Sequence, residues 1–579
     1  MAMINISARN PNNNSNNNHN NNPNNSYNSN NIDNLPIAIA QCDFMVGDVR
    51  GNKAKIEQVY NAQVKNGAAI IVFPECAITG YPAEDLLLLP YFQQTAMQAI
   101  EDLATITSKH QCPMIVGGVW REDDQLYNVA FWLEDGAIQR IFRKISLPNE
   151  GVFDERRVFA ASISSEVMEW REHRISVIIC EDMWHPRRMS YQVLNNTDLC
   201  IVINASPFED GKLARRHQVA QTLSRIYPHP LVYVNMVGGQ DEIVFDGGSF
   251  CLNQAGEVTH QLKCFSEDIR IIQLSKPEIV QPIERIPAIY AALKLGLQAY
   301  VRKNGFERVL LGLSGGIDSA LVAVIAADAL GAENVRCVML PSPYNAEISM
   351  EDALALVKNL GVRHDVLPIN LGMEAVEAML GSYQTSELAL ENMQSRLRGL
   401  LLMTISNSSG ELLLTTGNKS EIATGYCTLY GDMCGAFNVL KDVYKTTIYE
   451  LANYVNAMKI DTMETNAMNI DTMEDVQNDC RNVIPQRIIT RPPSAELREN
   501  QRDDDSLPPY DLLDKILHLA IEGRKGAVEI IELGFASETV HQVLHLLKIS
   551  EYKRSQAAIG VKISSMSFGR DWRMPITRK

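Results

Sequence analysis

Two α/β domains in tandem, the second built on a doubly wound parallel sheet, are what this sequence predicts. Three observations carry that expectation. The chain has 579 residues, more than the usual single domain of about 100–200. From Leu35 onward, short apolar runs alternate with helical stretches, and polar or reactive residues recur where the apolar runs stop. Residues 312–319 read GLSGGIDS, between an apolar run ending at Leu311 and another from Ala320 to Ala326, which is the layout of strand, glycine turn and helix N-terminus.

Taken in order, residues 1–34 are dominated by Asn with Ser and Pro; such a segment cannot bury apolar surface and is expected to be a disordered tail. A first domain spans 35–275. Within it 37–40 predicts a strand, 52–65 a helix, 69–73 a strand running into Pro74-Glu75, and 114–116 a strand ending at Gly117-Gly118. Further strands are expected at 175–179, ending in Cys180-Glu181-Asp182; at 201–203, leading to Ser206; and at 231–234, leading to Asn235. The proline-bearing stretch after Ser275 reads as a linker.

The second domain, 276–579, opens with a helix over 287–303. Strands follow at 335–340, 366–369 and 412–416, with helices at 349–360 and 385–405 between them. Asn392 and Arg396 share a face of the long helix. In such a sheet ligands lie at the carboxyl ends of the strands, where GLSGGIDS and TTGNKSE both fall. Residues 456–475 repeat NAMKIDTMET as NAMNIDTMED. Two copies are too few for a solenoid, so 456–480 is expected to be a surface insertion, perched at the edge of a lid, whether as a continued amphipathic helix, a hairpin or a flap.

The bulk composition excludes several classes. A net charge of −16 argues against a broad nucleic-acid surface. No apolar run reaches the roughly 18 residues of a membrane span, and the N-terminus lacks the apolar segment of a signal peptide, so neither is expected. Eleven scattered cysteines without a CxxC pair suit a reducing, cytoplasmic setting.

Two constellations carry chemistry. In GLSGGIDS, Gly315 and Gly316 allow the backbone to approach an anion closely, the helix start offers free N–H groups, and Ser314 and Ser319 add hydroxyls. Asp318 would repel phosphate unless Mg²⁺ sat between them. No Gly-Lys-Ser/Thr ending follows, so this is not a Walker loop. In the first domain Glu75, Lys144 and Cys180 lie at or beyond strand ends. A thiol is a strong nucleophile once ionised, a carboxylate can take its proton and return it to a leaving amine, and an ammonium can stabilise an oxyanion. Taken singly, Cys180 also reads as a core residue and Glu75 with Lys144 as an ordinary ion pair; the stretch EYKRSQAAIGVKISSMSFGRDWR, 551–573, has basic residues enough for phosphate contacts but also reads as a generic basic tail.

The strings PECAITGYPAEDLL, RKISLPNEGVFDE and ICEDMWHP, in that order, resemble the nitrilase-type carbon–nitrogen hydrolases. The resemblance implies an α-β-β-α sandwich in which Glu75 is the proton acceptor, Lys144 the supporting cation and Cys180 the nucleophile. Ser206 and Lys212, in NASPFEDGK, match glutamine-binding positions of the glutamine-using members. The family pattern has a tyrosine that helps hold glutamine where this chain has Glu150. SGGIDS resembles the pyrophosphate loop of ATP pyrophosphatases. With GNKSE, RPPSAEL and the amidase in front, the chain from Leu35 resembles glutamine-dependent NAD⁺ synthetases, apart from an interruption near 456–480.

That resemblance implies that ATP is a co-substrate held by Gly312, Leu313, Ser314, Gly315, Gly316, Ile317, Asp318, Ser319 and Thr416. It implies Mg²⁺ on Asp318 and Glu421, and deamido-NAD⁺ beside Asn392, Glu421, Asp432 and Lys553. It also implies a homo-oligomer. Two other readings compete: a different glutamine-fed ATP pyrophosphatase, against which GNKSE and RPPSAEL speak, and a non-catalytic scaffold that senses ATP, against which the retained Glu, Lys, Cys and glycine loop speak.

Overall fold

The computed structural model describes residues 32–164, 166–188, 194–467, 482–499 and 501–578. Most of the expected Asn-rich tail and the second repeat copy from residue 468 lie outside them. The last three tail residues do not: Ile32–Asn34 form a 3₁₀ turn whose carbonyls accept hydrogen bonds from Ser275 N and Gln273 Nε2. The described structure thus takes in three residues assigned to the tail, ahead of the boundary expected at Leu35.

The first domain is the expected sandwich. One sheet runs in the order Asp268–Ile272, Ile37–Gln41, Ile70–Val72, Met114–Glu122, Gln125–Glu134, Ala137–Arg143. The other runs Val258–Gln261, Phe250–Leu252, Leu231–Asn235, Leu199–Asn204, His173–Ile179, Val167–Trp170. Side chains alternate across each strand. Ile37, Ile39, Ile70 and Val72 meet Ile175, Val177, Ile201 and Val232 between the sheets. Ala38, Ala40 and Ile71 face the helices Val49–Lys65 and Pro90–Ile106. Cys200, Val202 and Tyr233 face the helix Lys212–Ile226 on the opposite side.

The strand expected to end at Gly117-Gly118 instead runs on to Glu122. Those glycines are there for a close approach: a Cβ on Gly117 would lie 2.3 Å from Pro74 O and 2.4 Å from Cys76 N. Only glycine lets the turn carrying Glu75 lie flat on this strand.

In the second domain five parallel strands run in the order Arg363–Val366, Val335–Met339, Val309–Gly312, Leu412–Thr415, Phe437–Asn438. Val309 and Leu311 pack on helices Arg285–Lys303 and Ile317–Leu330, while Leu310, Val338 and Leu413 pack on Asn370–Leu380 and Glu387–Ser409. Both faces are covered, as a doubly wound sheet requires. The strand expected at 366–369 lies three residues earlier. It is an edge strand held by charge, with Arg336 on Asp365 and Arg363 on Glu411, and Pro368 could not donate to a ladder.

The domains share a core: Phe208 and Val244 of the first are buried with Leu293 and Leu297 of the second. Helix Lys445–Ala467 passes unbroken through the first repeat copy. Asn456, the first residue of the repeat, is buried and exchanges hydrogen bonds of 2.9 Å with both N and O of Ile484, so the expected insertion starts within the core. Deleting residues 466–475, beyond that anchor, is expected to leave a soluble protein with activity within about three-fold, since loop closure changes by only about 0.6 kcal/mol per doubling of length. Thermal unfolding and activity of the deletion variant check this; insoluble protein would place the segment in the core.

Candidate active site

The first centre is assembled from both sheets. Glu75 follows Ile70–Val72 and Lys144 follows Ala137–Arg143 in one sheet; Cys180 follows His173–Ile179 and Ser206 follows Leu199–Asn204 in the other. Glu75 is fully buried. Its Oε1 accepts from Lys144 Nζ and Asn128 Nδ2, both at 2.8 Å, and its Oε2 accepts from Ala205 N at 2.8 Å. Three donors thus converge on this one carboxylate and both of its oxygens are engaged.

Lys144 Nζ also reaches Glu155 Oε1 at 2.9 Å, and Tyr81 Oη donates to that oxygen at 2.8 Å. Burial alone would lower the Lys144 ammonium; Glu155 and Glu75 outweigh it and hold it well above its ordinary value. Burial pushes Glu155 up to about 7 even against Lys144. Lys144 therefore stays a cation between two buried carboxyls.

Cys180 has φ +46°, a left-handed conformation that is uncommon for a side-chain-bearing residue and is concentrated at functional turns. Burial, then the charge of Glu75, holds its thiol well above the ordinary range, while Lys144 pulls the other way. The thiol is thus protonated at rest and needs a base to ionise. Asp182 ties the two sheets at this point: it accepts from Ile179 N at 3.3 Å and from Ser146 N at 2.6 Å, just past Lys144. Lys212 begins the helix Lys212–Ile226, pairs with Glu209 at 3.6 Å and lies near the Trp184 ring; burial lowers its ammonium. Glu150 is exposed on a turn whose next residue, Gly151, accepts from Arg573 of the second domain.

The second centre is a cavity of about 280 Å³ at the carboxyl ends of the parallel strands. Gly312, Leu313, Ser314, Gly316, Ile317, Asp318, Ser319, Thr416, Glu421 and Asp432 line it. Gly315, at φ +81°, turns beneath it; a Cβ there would lie 2.3 Å from Ser349 O. Arg491 grips that turn, donating to Gly315 O at 3.3 Å and Ser349 Oγ at 2.8 Å.

Asp318 and Glu421 are brought together by Lys445, whose Nζ lies 2.5 Å from Asp318 and 3.3 Å from Glu421. Asn418 donates to Asp318 Oδ1 at 2.9 Å and caps the helix Lys419–Thr424 that carries Glu421. Burial raises Glu421 to about 8, with Lys445 opposing and Asp318 adding to the rise.

Among the described residues no group of three or more His, Cys, Asp or Glu could hold a metal by protein alone. Two hard carboxylates suit Mg²⁺ that arrives with phosphates, because that ion commonly takes one or two carboxylates and completes its shell from substrate and water. Asn392, Asp432 and Lys553 gather on one loop. Asn392 accepts from Thr428 Oγ1 at 2.9 Å, Asp432 accepts from Thr428 N at 2.6 Å, and Lys553 donates to Gly425 O and Cys427 O at 2.7 Å. Neither Asn392 nor Lys553 lines the cavity itself.

Sequence reasoning did not single out Asn128, Glu155, Asp182, Arg216, Lys445 or Arg491. Glu155, Asp182 and Arg491 lie in the strings RKISLPNEGVFDE, ICEDMWHP and RPPSAEL, which carry no local signal of the partners they meet in the fold.

The carbon–nitrogen hydrolase family model matches residues 36–281 and the NAD synthase family model matches 289–557. The glutamine-dependent NAD(+) synthetase of Acinetobacter baylyi is 42% identical over 552 residues, covering 93% of this chain and 98% of that protein. The one from Rhodobacter capsulatus is 43% identical, covering 94% and 99%. The solved glutamine-dependent NAD+ synthetase of Acinetobacter baumannii, in complex with ADP, is 41% identical, with a TM-score of 0.72 over 94% of this chain and 98% of that one. The Cytophaga hutchinsonii enzyme, at 21% identity, shares the fold with a TM-score of 0.78 over 94% and 97%. Identity of this level, sustained through both domains and nearly end to end, means that the chain belongs to the glutamine-dependent NAD(+) synthetases.

Proposed function

We propose that the chain converts deamido-NAD⁺ to NAD⁺, using ATP and ammonia drawn from glutamine. The observation that carries this is one chain of this family holding both a buried Glu75–Lys144–Cys180 centre and a glycine-loop cavity lined by Asp318 and Glu421. At the first centre Cys180 Sγ attacks the glutamine carboxamide carbon as Glu75 takes the thiol proton. Lys144 stabilises the oxyanion. The C–N bond breaks, Glu75 returns the proton to the leaving ammonia, and water cleaves the thioester to glutamate. Ser206 and Lys212 hold the amino acid.

At the second centre the nicotinate carboxylate attacks the α-phosphorus of ATP. Pyrophosphate leaves into the N–H groups of the glycine loop, and ammonia then displaces AMP. Asp318 and Glu421 would hold Mg²⁺, which when bound would neutralise charge on the pyrophosphate. Asn392, Asp432 and Lys553 shape the loop that contacts deamido-NAD⁺, and Thr416 with the loop residues contacts ATP. Ammonia of high pKa is mostly protonated in water and so a poor nucleophile; passing it through the shared interior avoids that loss.

Incubating the full chain with deamido-NAD⁺, ATP, Mg²⁺ and glutamine is expected to yield NAD⁺, AMP and glutamate in equal amounts. AMP without NAD⁺ would point to a different acceptor.

Two wider features fit this reading. Leu371 and Met379 on helix Asn370–Leu380, Tyr383 in the turn after it, and Leu388 and Leu400 on helix Glu387–Ser409 are exposed apolar side chains, of the kind a second copy in a homo-oligomer would cover. Ten cysteines among the described residues are all free, and no helix there is long and apolar enough to cross a membrane, in keeping with a cytoplasmic enzyme.

Glu150 stands where a tyrosine would help hold glutamine. Glu150→Tyr is therefore expected to lower the KM for glutamine by about three-fold, roughly the worth of one added contact, with the KM for ATP unchanged. Steady-state kinetics in both substrates decide this; an unchanged or higher glutamine KM would remove Glu150 from the account.

A further inference from the structure

Arg216 is a fully buried cation one helical turn beyond Lys212. A guanidinium carries five N–H donors in a fixed fork, and here every one is used. Nη1 donates to both oxygens of Asp246, at 2.8 and 2.9 Å. Nε donates to Ser206 Oγ at 3.1 Å, and Nη2 to Ser206 O at 2.9 Å and Pro207 O at 2.8 Å. Asn235 grips the same residue from the other side: its Oδ1 accepts from Ser206 N at 2.9 Å and its Nδ2 donates to Ser206 O at 3.1 Å. The preceding residue, Ala205, donates its N–H to Glu75.

The turn 205–207 is therefore over-determined. It is bound to Glu75 at one end, and Ser206 is held through its N–H, carbonyl and hydroxyl. A buried ion pair is a weak source of stability, because desolvation offsets its attraction. What this one supplies is direction: three donors converge on the turn and the charge they bring is cancelled by Asp246. Lys212, from the same helix, lies one turn away, so Arg216 also fixes the helix against the strand end that carries Ser206.

We propose that Arg216, held by Asp246, is a positioning residue of the glutamine site, setting the Ser206 side chain and the 205–207 turn without itself touching substrate. The inference rests on the reading that Ser206 contacts glutamine. It makes Asp246, in strand Ile243–Asp246 and far from Cys180 in sequence, a determinant of glutamine affinity.

The test uses Asp246→Asn, Arg216→Lys and Ser206→Ala in the full chain. It measures kcat and KM for glutamine, the rate with ammonia, and alkylation of Cys180 by iodoacetamide. Asp246→Asn and Arg216→Lys are each expected to raise the glutamine KM about ten-fold or more, with kcat within about three-fold, the pattern of lost binding rather than lost chemistry. The ammonia-driven rate, read at the other centre, and Cys180 alkylation should stay within about two-fold, reporting a folded chain and an intact thiol. Arg216→Lys keeps the charge but not the fork, so wild-type behaviour of that variant would overturn the proposal. So would a loss of kcat, alkylation and ammonia-driven rate together, which marks a purely structural residue. The double variant Ser206→Ala with Arg216→Lys should be less damaging than the sum of the single changes, because Arg216 acts on glutamine through the placement of Ser206; full additivity would also overturn it. If Ser206→Ala alone leaves the KM unchanged, the assignment of Ser206 fails, and this outcome is separate from those at Arg216 and Asp246.

Discussion

Cys180→Ala is expected to abolish NAD⁺ formation from glutamine, by a factor on the order of 10⁴ or more as for removal of other covalent nucleophiles, while formation from added ammonia persists. The reason is spatial. Cys180 lies at a strand end of the first domain, among Glu75, Lys144 and Glu155, and the ATP cavity lies at the strand ends of another sheet. The substitution should be well tolerated. Cys180 already holds φ +46°, and alanine, which also carries a Cβ, inherits the same backbone strain without adding to it. The thiol is uncharged at rest because burial raises its pKa, so its loss leaves no ionised partner stranded. Lys144 keeps both carboxyls. The measurement is NAD⁺ formation with each nitrogen source, alongside glutamate release. Loss of both activities in a folded variant would end this division of labour; retained glutamine use would remove Cys180 as nucleophile.

How far the sequence revealed these centres follows from what each residue's role depends on. Glu75, Cys180 and the glycine loop were legible because they end apolar runs, and in layered α/β folds sites are built where strands stop. Gly117 misled for a related reason. Read locally, a glycine pair ends a strand; in the fold it is the gap that accepts the Glu75 turn. The edge strand Arg363–Val366 was misplaced because its pairing is charged, whereas the neighbouring apolar run Val366–Ile369 looked more strand-like.

Asp182, Arg216 and Lys445 stayed hidden because their roles lie between elements well separated in sequence. Lys445 meets Asp318 across 127 positions, and Arg216 meets Asp246 across 30. No local period marks such pairs; each reads as a solvated charge until burial shows otherwise. The family pattern carried the assignments of Ser206, Lys212, Asn392 and Lys553, for which the residues alone gave no distinguishing signal.

Asp318→Ala should have the opposite signature to Cys180→Ala: amide formation falls by about 10²–10³ with either nitrogen source, the usual scale for losing one group that stabilises developing charge. Asp318 stands in the first turn of helix Ile317–Leu330, directly after the glycine turn, where N–H groups face the cavity. A carboxylate there opposes phosphate binding unless a cation intervenes, so its presence argues for a role toward Mg²⁺. It is held in place from two sides, by Asn418 at 2.9 Å and Lys445 at 2.5 Å. Alanine removes the carboxylate and also leaves Lys445 with Glu421 alone, at 3.3 Å. The two effects separate with Asp318→Asn, which preserves shape and a hydrogen-bonding oxygen but not charge. If Asp318 serves the cation, Asp318→Asn should raise the Mg²⁺ concentration needed for half-maximal rate, with glutamine and with ammonia alike. If it serves only to hold Lys445, the Mg²⁺ requirement should not move. Near-wild-type activity of Asp318→Ala from ammonia would rule out both roles, since the amide-forming step would then be shown to run without that carboxylate.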